Sequence, residues 1–526
     1  MTGNAYIDED TEYFLDTEYI TENKLDIKTF YGRKHFEMRQ PFIMGMENEF
    51  KLHFEILKIY EKDFMGFVDI ITEKIKKIRN IDESLDKIRK NNGISVVDLF
   101  EIKRFVYFQN EIVKLLSDFE SFKHTSLSSL GELWNVLDPK DSGRYFFSID
   151  SDYSEHLRKE HSKIISKQKK LMDKHCNEIA FKYELPLDGR KEFLLKRNDI
   201  RVGKLMSSEY FTILKETAFS IHFKVNASKA YMELEKEKND IEHEVKKEEI
   251  RYVLEIAEVI RHYLDAIEIQ NKAIGKLDFD MACLKFKKEY NCCFPELSEN
   301  NVLEFKNAVC VKIKDRCTRE KNRYDDLSGK FGLGVSIIVG SNMGGKTSAL
   351  KTIGQNVFLI SMGIPCPAEY FATMLFSGIN TVYRGKEEDG LSGFGMEVKR
   401  ANKCFSKERS LNLIDEFGSG TNPTEGESLA VSLMNFLESE AVSCSIMVTH
   451  FPETMKYSDN VYFTGLFLDN EFKDFNSIYQ NIDHSLQKKN ADEGFPYAAL
   501  DVAKMLGFPE KIVENARKNI SFKSGV

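Results

Sequence analysis

Through the first 330 residues, apolar positions keep a helical period except in one short stretch. Beyond that point strands and helices alternate. Glu49 to Ile78 is amphipathic. Ile81 to Ile88 continues the pattern, Asn91-Asn92-Gly93 stops it, and Ser95-x-x-Asp98 supplies a capping-box start for a helix to about Phe119. Leu234, Ile241, Val245, Tyr252, Ile256, Tyr263, Ile267 and Ile274 recur in alternating steps of seven and four, which keeps one helical face apolar. Ala227 to Lys276 therefore reads as one long helix, about 75 Å at 1.5 Å per residue, or as a helix with a break. The exception lies just before it, where Glu192–Lys196, Tyr210–Leu214 and Phe219–Val225 alternate as short strands. After residue 330, Val335–Val339, Leu411–Ile414 and Ser445–Thr449 are apolar runs of the kind buried in a parallel sheet.

Candidate chemistry sits at the carboxyl ends of those runs. Gly340-Ser-Asn342-Met-Gly344-Gly345-Lys346-Thr347-Ser348 has G-x-x-x-x-G-K-T spacing between a strand and a helix. Such a loop turns backbone N–H groups onto a polyphosphate. Lys346 reaches its β- and γ-phosphates and the Thr347 hydroxyl holds Mg²⁺, so ATP and Mg²⁺ are the expected cofactors. Leu411-Asn-Leu-Ile-Asp415-Glu416 ends a strand in two carboxylates: Asp415 suits the metal's water shell, and Glu416 suits a general base. His450 closes the next strand, either as a γ-phosphate sensor or as a polar strand end. Ser392, with Phe394 two residues on, opens a helix and offers an anion-binding N-terminus. The alternative is an ordinary cap with no ligand.

Asn342-Met-Gly-Gly-Lys-Thr347, Ser392-x-Phe394-x-x-Glu397, Asp415-Glu416-x-Gly-x-Gly-Thr421 and Thr449-His450-x-x-Glu453 occur in the order and spacing of the MutS ATPases, which the chain resembles over roughly 330–520. The stretch Ala503 to Arg517 is similar to that family's terminal helical segment, and the Asn-Pro-x-Glu-Gly loop after Glu416 is closer to the second bacterial MutS class. The resemblance implies a multidomain α/β plus α architecture. It comprises a P-loop NTPase domain of the ABC-type MutS kind, a helical core and lever, and a small β-containing clamp. The expected divisions are 1–49 (N-terminal segment), 50–150 (helical core), 151–226 (reduced clamp insert), 227–325 (lever helix and a return segment near Leu277–Ala282) and 326–526 (ATPase domain with a dimerisation tail). It also implies a homodimer, or a dimer with a related subunit, in which Ser392 completes the partner's site.

Charge adds a further clue. The chain carries −9 overall, yet between His156 and Lys204 there are 14 Lys plus Arg against 7 Asp plus Glu. A basic clamp tip suits a phosphate backbone, with Lys169, Lys170, Lys196 and Arg197 as candidate DNA or partner contacts; a solvated helix face is the alternative. The aromatic residues among these cations are not spaced in a way that suggests base stacking. The acidic start lacks an export signal, no apolar run is long enough to span a bilayer, and nine cysteines without a C-x-x-C pair read as reduced thiols, Cys366 and Cys444 among them as core residues. A cytoplasmic protein with no membrane partner is expected.

Ahead of residue 50 there is no Phe-x-Glu wedge, and after Arg517 no nuclease-like segment, so orthodox mismatch recognition is not expected. Two functions stay open. One is an ATP-gated clamp on double-stranded or branched DNA. The other is the motor of a reactivating ATPase for a B12-dependent lysine aminomutase, a partner class that some short MutS-like ATPases are similar to serving.

Overall fold

The computed structural model describes all residues except 1–5, 140–151, 188–190, 341–343, 386–391, 468–481, 490–499, 501–502, 504–506 and 524–526. Its fold is mixed α/β, with many helices and several sheets, and it divides into two compact units. One unit comprises Ile78–Glu111 and Ser128–Ile269; the other comprises Met1–Lys77, Ile112–Leu127 and Gln270–Val526.

In the first unit the capping box forms reciprocally. The Ser95 amide donates to Asp98 Oδ2 (2.9 Å) and the Asp98 amide donates to Ser95 Oγ (3.3 Å). Asn91 takes a left-handed φ of 51° to end the preceding helix. Helix Asp152–Tyr183 lies antiparallel to helix Lys229–Arg261, joined by Gln168–Glu235 (2.7 Å) and His161–Glu242 (3.0 Å). At one end of this pair, Glu192–Lys196, Ser220–Val225 and Phe211–Glu216 form an antiparallel sheet with the second of these strands in the middle. Its inner face packs Phe193, Phe211 and Phe223 against Met172, Cys176 and Ile179 of the helix.

The long periodic stretch is two helices, Lys229–Arg261 and Leu264–Tyr290, broken at His262-Tyr263. Gly275 does not end the second helix. A Cβ there would lie 2.5 Å from the Tyr31 carbonyl oxygen, so glycine is present for close approach, and Leu277–Ala282 lies within the second helix.

The second unit carries a six-stranded sheet of β1 (Gly334–Gly340), β2 (Gly378–Val382), β3 (Ser410–Asp415), β4 (Cys444–Val448), β5 (Val461–Thr464) and β6 (Gln487–Lys489). Their order is β6-β5-β1-β4-β3-β2, parallel except for β6 against β5. Every residue of β1 and β4 is buried, which is why both read as unbroken apolar runs. Four helices that pack against this sheet matter for the site: α1 (Glu9–Leu15), α2 (Lys346–Ser361), α3 (Gly393–Ala401) and α4 (Pro423–Glu440). The core between sheet and helices includes Ile337, Val339, Ile414, Met434, Met447 and Phe463. Residues 6–16 belong to this unit: Leu15 is buried where any side chain at Gly354 of α2 would collide with it. Cys366 and Cys444 are fully buried thiols. Among the described residues no helix is long and apolar enough to cross a membrane.

Candidate functional site

β1 runs into the glycine-rich loop, and the loop opens α2. Gly340 sits so close to β5 that a Cβ would meet the Thr464 carbonyl oxygen at 2.1 Å, and Gly345 has a φ of 81°; both positions require glycine. Asn342 lies outside the described residues. Gly344 donates no side chain but is tied down, its carbonyl accepting from Thr464 Oγ1 (2.9 Å). Lys346 is buried at the first turn of α2, donating to the Gly340 carbonyl (3.0 Å), and Ser348 follows it on the same turn.

β3 delivers the two carboxylates beside this turn. Thr347 Oγ1 donates to Asp415 Oδ2 (2.8 Å). Asp415 Oδ1 is buried without a hydrogen-bond partner among the described residues. Burial is the main reason the Asp415 carboxyl is pushed up to about 6. The Thr347 hydrogen bond opposes the shift and the neighbouring Glu416 charge adds to it. Glu416 has a φ of 55°, a left-handed conformation costly for a side chain with a Cβ, and its amide is fixed by the Val448 carbonyl of β4 (2.9 Å). Its carboxylate lies 2.9 Å from His450 Nε2 and 3.8 Å from Lys346 Nζ. Burial works against ionising Glu416, but the His450 hydrogen bond and the charges of His450 and Lys346 outweigh it, holding the carboxyl below its ordinary value. Burial lowers the Lys346 pKa, partly offset by Glu416 and Asp415.

The structure thus gathers Lys346, Thr347, Asp415, Glu416 and His450 at one end of the sheet. Ser392 caps α3, accepting from the Gly395 amide (3.3 Å), and is itself exposed. No contact among the described residues joins Ser392 or Phe394 to the phosphate-type loop. Instead Phe394 abuts the segment after Glu416, where a Cβ at Gly420 would stand 3.5 Å from it.

Two residues near the site escape a reading of the sequence. Glu397 of α3 is 0% exposed. One oxygen accepts from the Gly418 amide (2.9 Å), while the other is buried without a partner among the described residues. Burial raises its pKa, and the signal is present in the chain, since Glu397 ends the Ser-x-Phe-x-x-Glu motif. His484 lies against Gly345, and its Nδ1 is likewise buried and unpartnered among the described residues. No local pattern marks it. An open apolar groove of about 420 Å³ between α3 and α4 is lined by Val398, Phe405, Phe417, Leu429 and Phe436.

In the other unit, Lys169 and Lys170 are exposed on helix Asp152–Tyr183, while Lys196 ends the first strand of the small sheet and Arg197 follows in the turn. Arg197 pairs with Glu216 (3.0 Å), and its amide donates to the Phe219 carbonyl (3.0 Å). Phe219, 85% exposed on the hairpin turn, therefore stands beside Arg197 although it lies 22 positions further along the sequence.

Residues 336–522 match the family model described as MutS domain V. The chain is 30% identical over 285 residues to a protein of Fusobacterium nucleatum named Endonuclease MutS2, the match covering 52% of this chain and 35% of that protein. It is 31% identical over 287 residues to the Clostridium tetani protein of the same name, covering 53% and 35%. A longer alignment, 22% identical over 500 residues, joins it to the Streptococcus uberis Endonuclease MutS2 and covers 90% of this chain and 61% of that one. The chain therefore spans about a third of the first two relatives and under two thirds of the third.

Proposed function

With residues 336–522 belonging to the MutS domain V family, we propose that this chain is an ATP-hydrolysing P-loop NTPase of the ABC-type MutS kind that acts on nucleic acid. The observation that carries the reading is the pairing of Thr347 with Asp415, whose second oxygen is buried and orphaned among the described residues. A hydroxyl and a dry carboxylate with a spare lone pair fit Mg²⁺, and a cation there would satisfy Oδ1 and favour the ionised carboxylate. Thr347 and Asp415 would hold the ion, whose chemistry is to neutralise charge on the β- and γ-phosphates.

The chain's own residues supply the rest. Lys346, now resting on the Gly340 carbonyl, is the phosphate cation, and the Gly344–Ser348 amides form the cradle. Glu416 stays ionised at neutral pH and accepts a proton from the attacking water at its carboxylate. His450, 2.9 Å from Glu416, orients that carboxylate and reports on the γ-phosphate. His484 is a candidate contact beside the loop. Exposed Ser392 and half-buried Phe394, at the start of α3, complete the site of a second subunit, which makes the active form a dimer.

The nucleic-acid part rests on the relatives' printed name and on the exposed Lys169, Lys170, Lys196 and Arg197, with residues 151–226 as clamp, 227–325 as the lever linking it to the ATPase domain and 50–150 as the helical lever base. No observation favours the aminomutase alternative, and cleavage of nucleic acid is not proposed. The test is turnover of purified protein with ATP and Mg²⁺. Hydrolysis lost in Glu416→Gln but with ATP still bound supports the reading; hydrolysis at the wild-type rate in that variant sinks it.

A further inference from the structure

Residues 6–16 connect three parts of the ATPase unit that sequence places hundreds of residues away. The Tyr6 carbonyl accepts from the Ile379 amide (2.9 Å) on β2, the edge strand of the six-stranded sheet, and Thr11 Oγ1 meets Thr381 Oγ1 at 3.0 Å. Asp8 caps α1, accepting from the Thr11 amide (2.8 Å), and pairs with Lys403 just past α3. Asp10 grips Arg400 of α3 with both oxygens, at 3.2 Å from Nε and 2.9 Å from Nη2. The Arg400 side chain is 3% exposed. Its third nitrogen donates to the Tyr383 carbonyl (2.9 Å), and its guanidinium lies 4.2 Å over the Tyr383 ring, which in turn packs 4.9 Å from Phe14 of α1. Arg400 holds the Asp10 carboxyl below its ordinary value.

The far end of the same segment grips α2. Asp16 accepts from Lys351 (2.7 Å), Gln355 Nε2 donates to the Leu15 carbonyl (3.0 Å), and Leu15 fills the space left by Gly354. One turn earlier on α3, Glu397 anchors the helix to the Gly418 amide. The helix that carries Ser392 is thereby fixed both to the loop after Asp415-Glu416 and to a segment that also grips the helix of the phosphate-type loop.

We propose that residues 6–16 are a strap that sets α3, and with it Ser392, for presentation to a second subunit. Asp10 is a positioning residue acting through Arg400. Neither side chain touches the phosphate-type loop, so Asp10 governs what this subunit offers its partner, while the grip on α2 is made by Leu15 and Asp16. The inference rests on the dimeric ATPase reading above.

Asp10→Asn, which keeps the shape but removes the charge, and Asp10→Ala are the variants. Each should lower kcat about ten- to hundredfold, as misplacement remote from chemistry does, with little change in ATP affinity. The decisive readout is complementation with Lys346→Ala chains. In the mixed dimer, the intact loop of the Asp10 variant faces the intact α3 of its partner, so about one quarter of wild-type turnover should return in an equimolar mixture. Wild-type turnover in both variants overturns the strap, and so does the absence of complementation, because a purely structural defect would stay with its own subunit. If the wild-type protein itself does not hydrolyse ATP, the functional reading falls. Hydrogen exchange then judges the strap alone: residues 393–401 should exchange faster in Asp10→Asn while 346–361 do not, and an unchanged 393–401 would refute it.

Discussion

Around Asp415 charged groups are crowded and largely dry, whereas the lysines of the insert stand in water. In the first region one carboxyl is pushed up, another is held down, a lysine is depressed and a glutamate sits at left-handed φ. Burial there makes each charge conspicuous because it needs a ligand or a partner. In the second region exposed cations such as Lys169 and Lys170 are already solvated, and a pair such as Arg197–Glu216 is worth at most about 1 kcal/mol. A desolvated site therefore announces its chemistry in the folded chain. An exposed one declares itself only by what binds to it and how salt changes that binding.

The sharpest way to break this contrast is at the dry site. Glu416→Gln should reduce turnover about 10²- to 10⁴-fold while ATP binding persists, and Lys346→Ala should remove binding itself. Single-turnover kinetics alongside equilibrium nucleotide titration separate the two.

Next in size is the wet site. Reversing Lys169, Lys170, Lys196 and Arg197 together should weaken nucleic-acid binding for all sequences alike. It should also flatten the logarithmic salt dependence by about 0.9 for each phosphate no longer neutralised. ATP hydrolysis without nucleic acid should be untouched. A salt-independent affinity, or no binding at about 50 mM salt, would remove the nucleic-acid half of the proposal.

A smaller effect tests the protonation of Asp415. Its carboxyl is raised to about 6, so the nucleotide-free fold keeps a proton that the unfolded chain has already released. Stability should consequently fall as pH rises from the ordinary carboxylate value toward about 6, and a bound divalent cation should reverse this. Mg²⁺-dependent nucleotide affinity should drop up to about tenfold per pH unit below about 6, with metal-free affinity less affected; calorimetry at several pH values checks both. Smallest of all, Ser95→Ala in the helical unit should cost about 1 kcal/mol in urea unfolding through loss of its cap, with turnover unchanged.

Legible in the sequence is whatever chemistry forces to be local. A polyphosphate cradle must be built from neighbouring amides, so Gly340 to Thr347 are contiguous, and the Asp415-Glu416 pair rides on one apolar strand. The capping box at Ser95 and Asp98 is local for the same reason. The sheet order is not legible, because parallel strands joined by crossovers leave no trace of which neighbours pair. Gly275 looks like a helix end, yet the approach of Tyr31 that demands it comes from 244 positions away. Phe219 beside Arg197 depends on a hairpin closing, and Glu397 stands within a recognisable motif without a role until its burial is visible.

The hydrogen bond between Thr11 and Thr381 spans 370 positions. During synthesis at roughly 5–20 residues per second, α1 must wait on the order of 20–75 seconds after emerging before the strand it closes upon exists. Until then the apolar face of α1, with Phe14 and Leu15, has no surface to bury against in the ATPase sheet. The nucleotide unit is thus completed last by some of its earliest residues, and its folding is discontinuous in time as well as in sequence. Pausing or chaperone capture in that interval would act on α1 before any catalytic residue has been made.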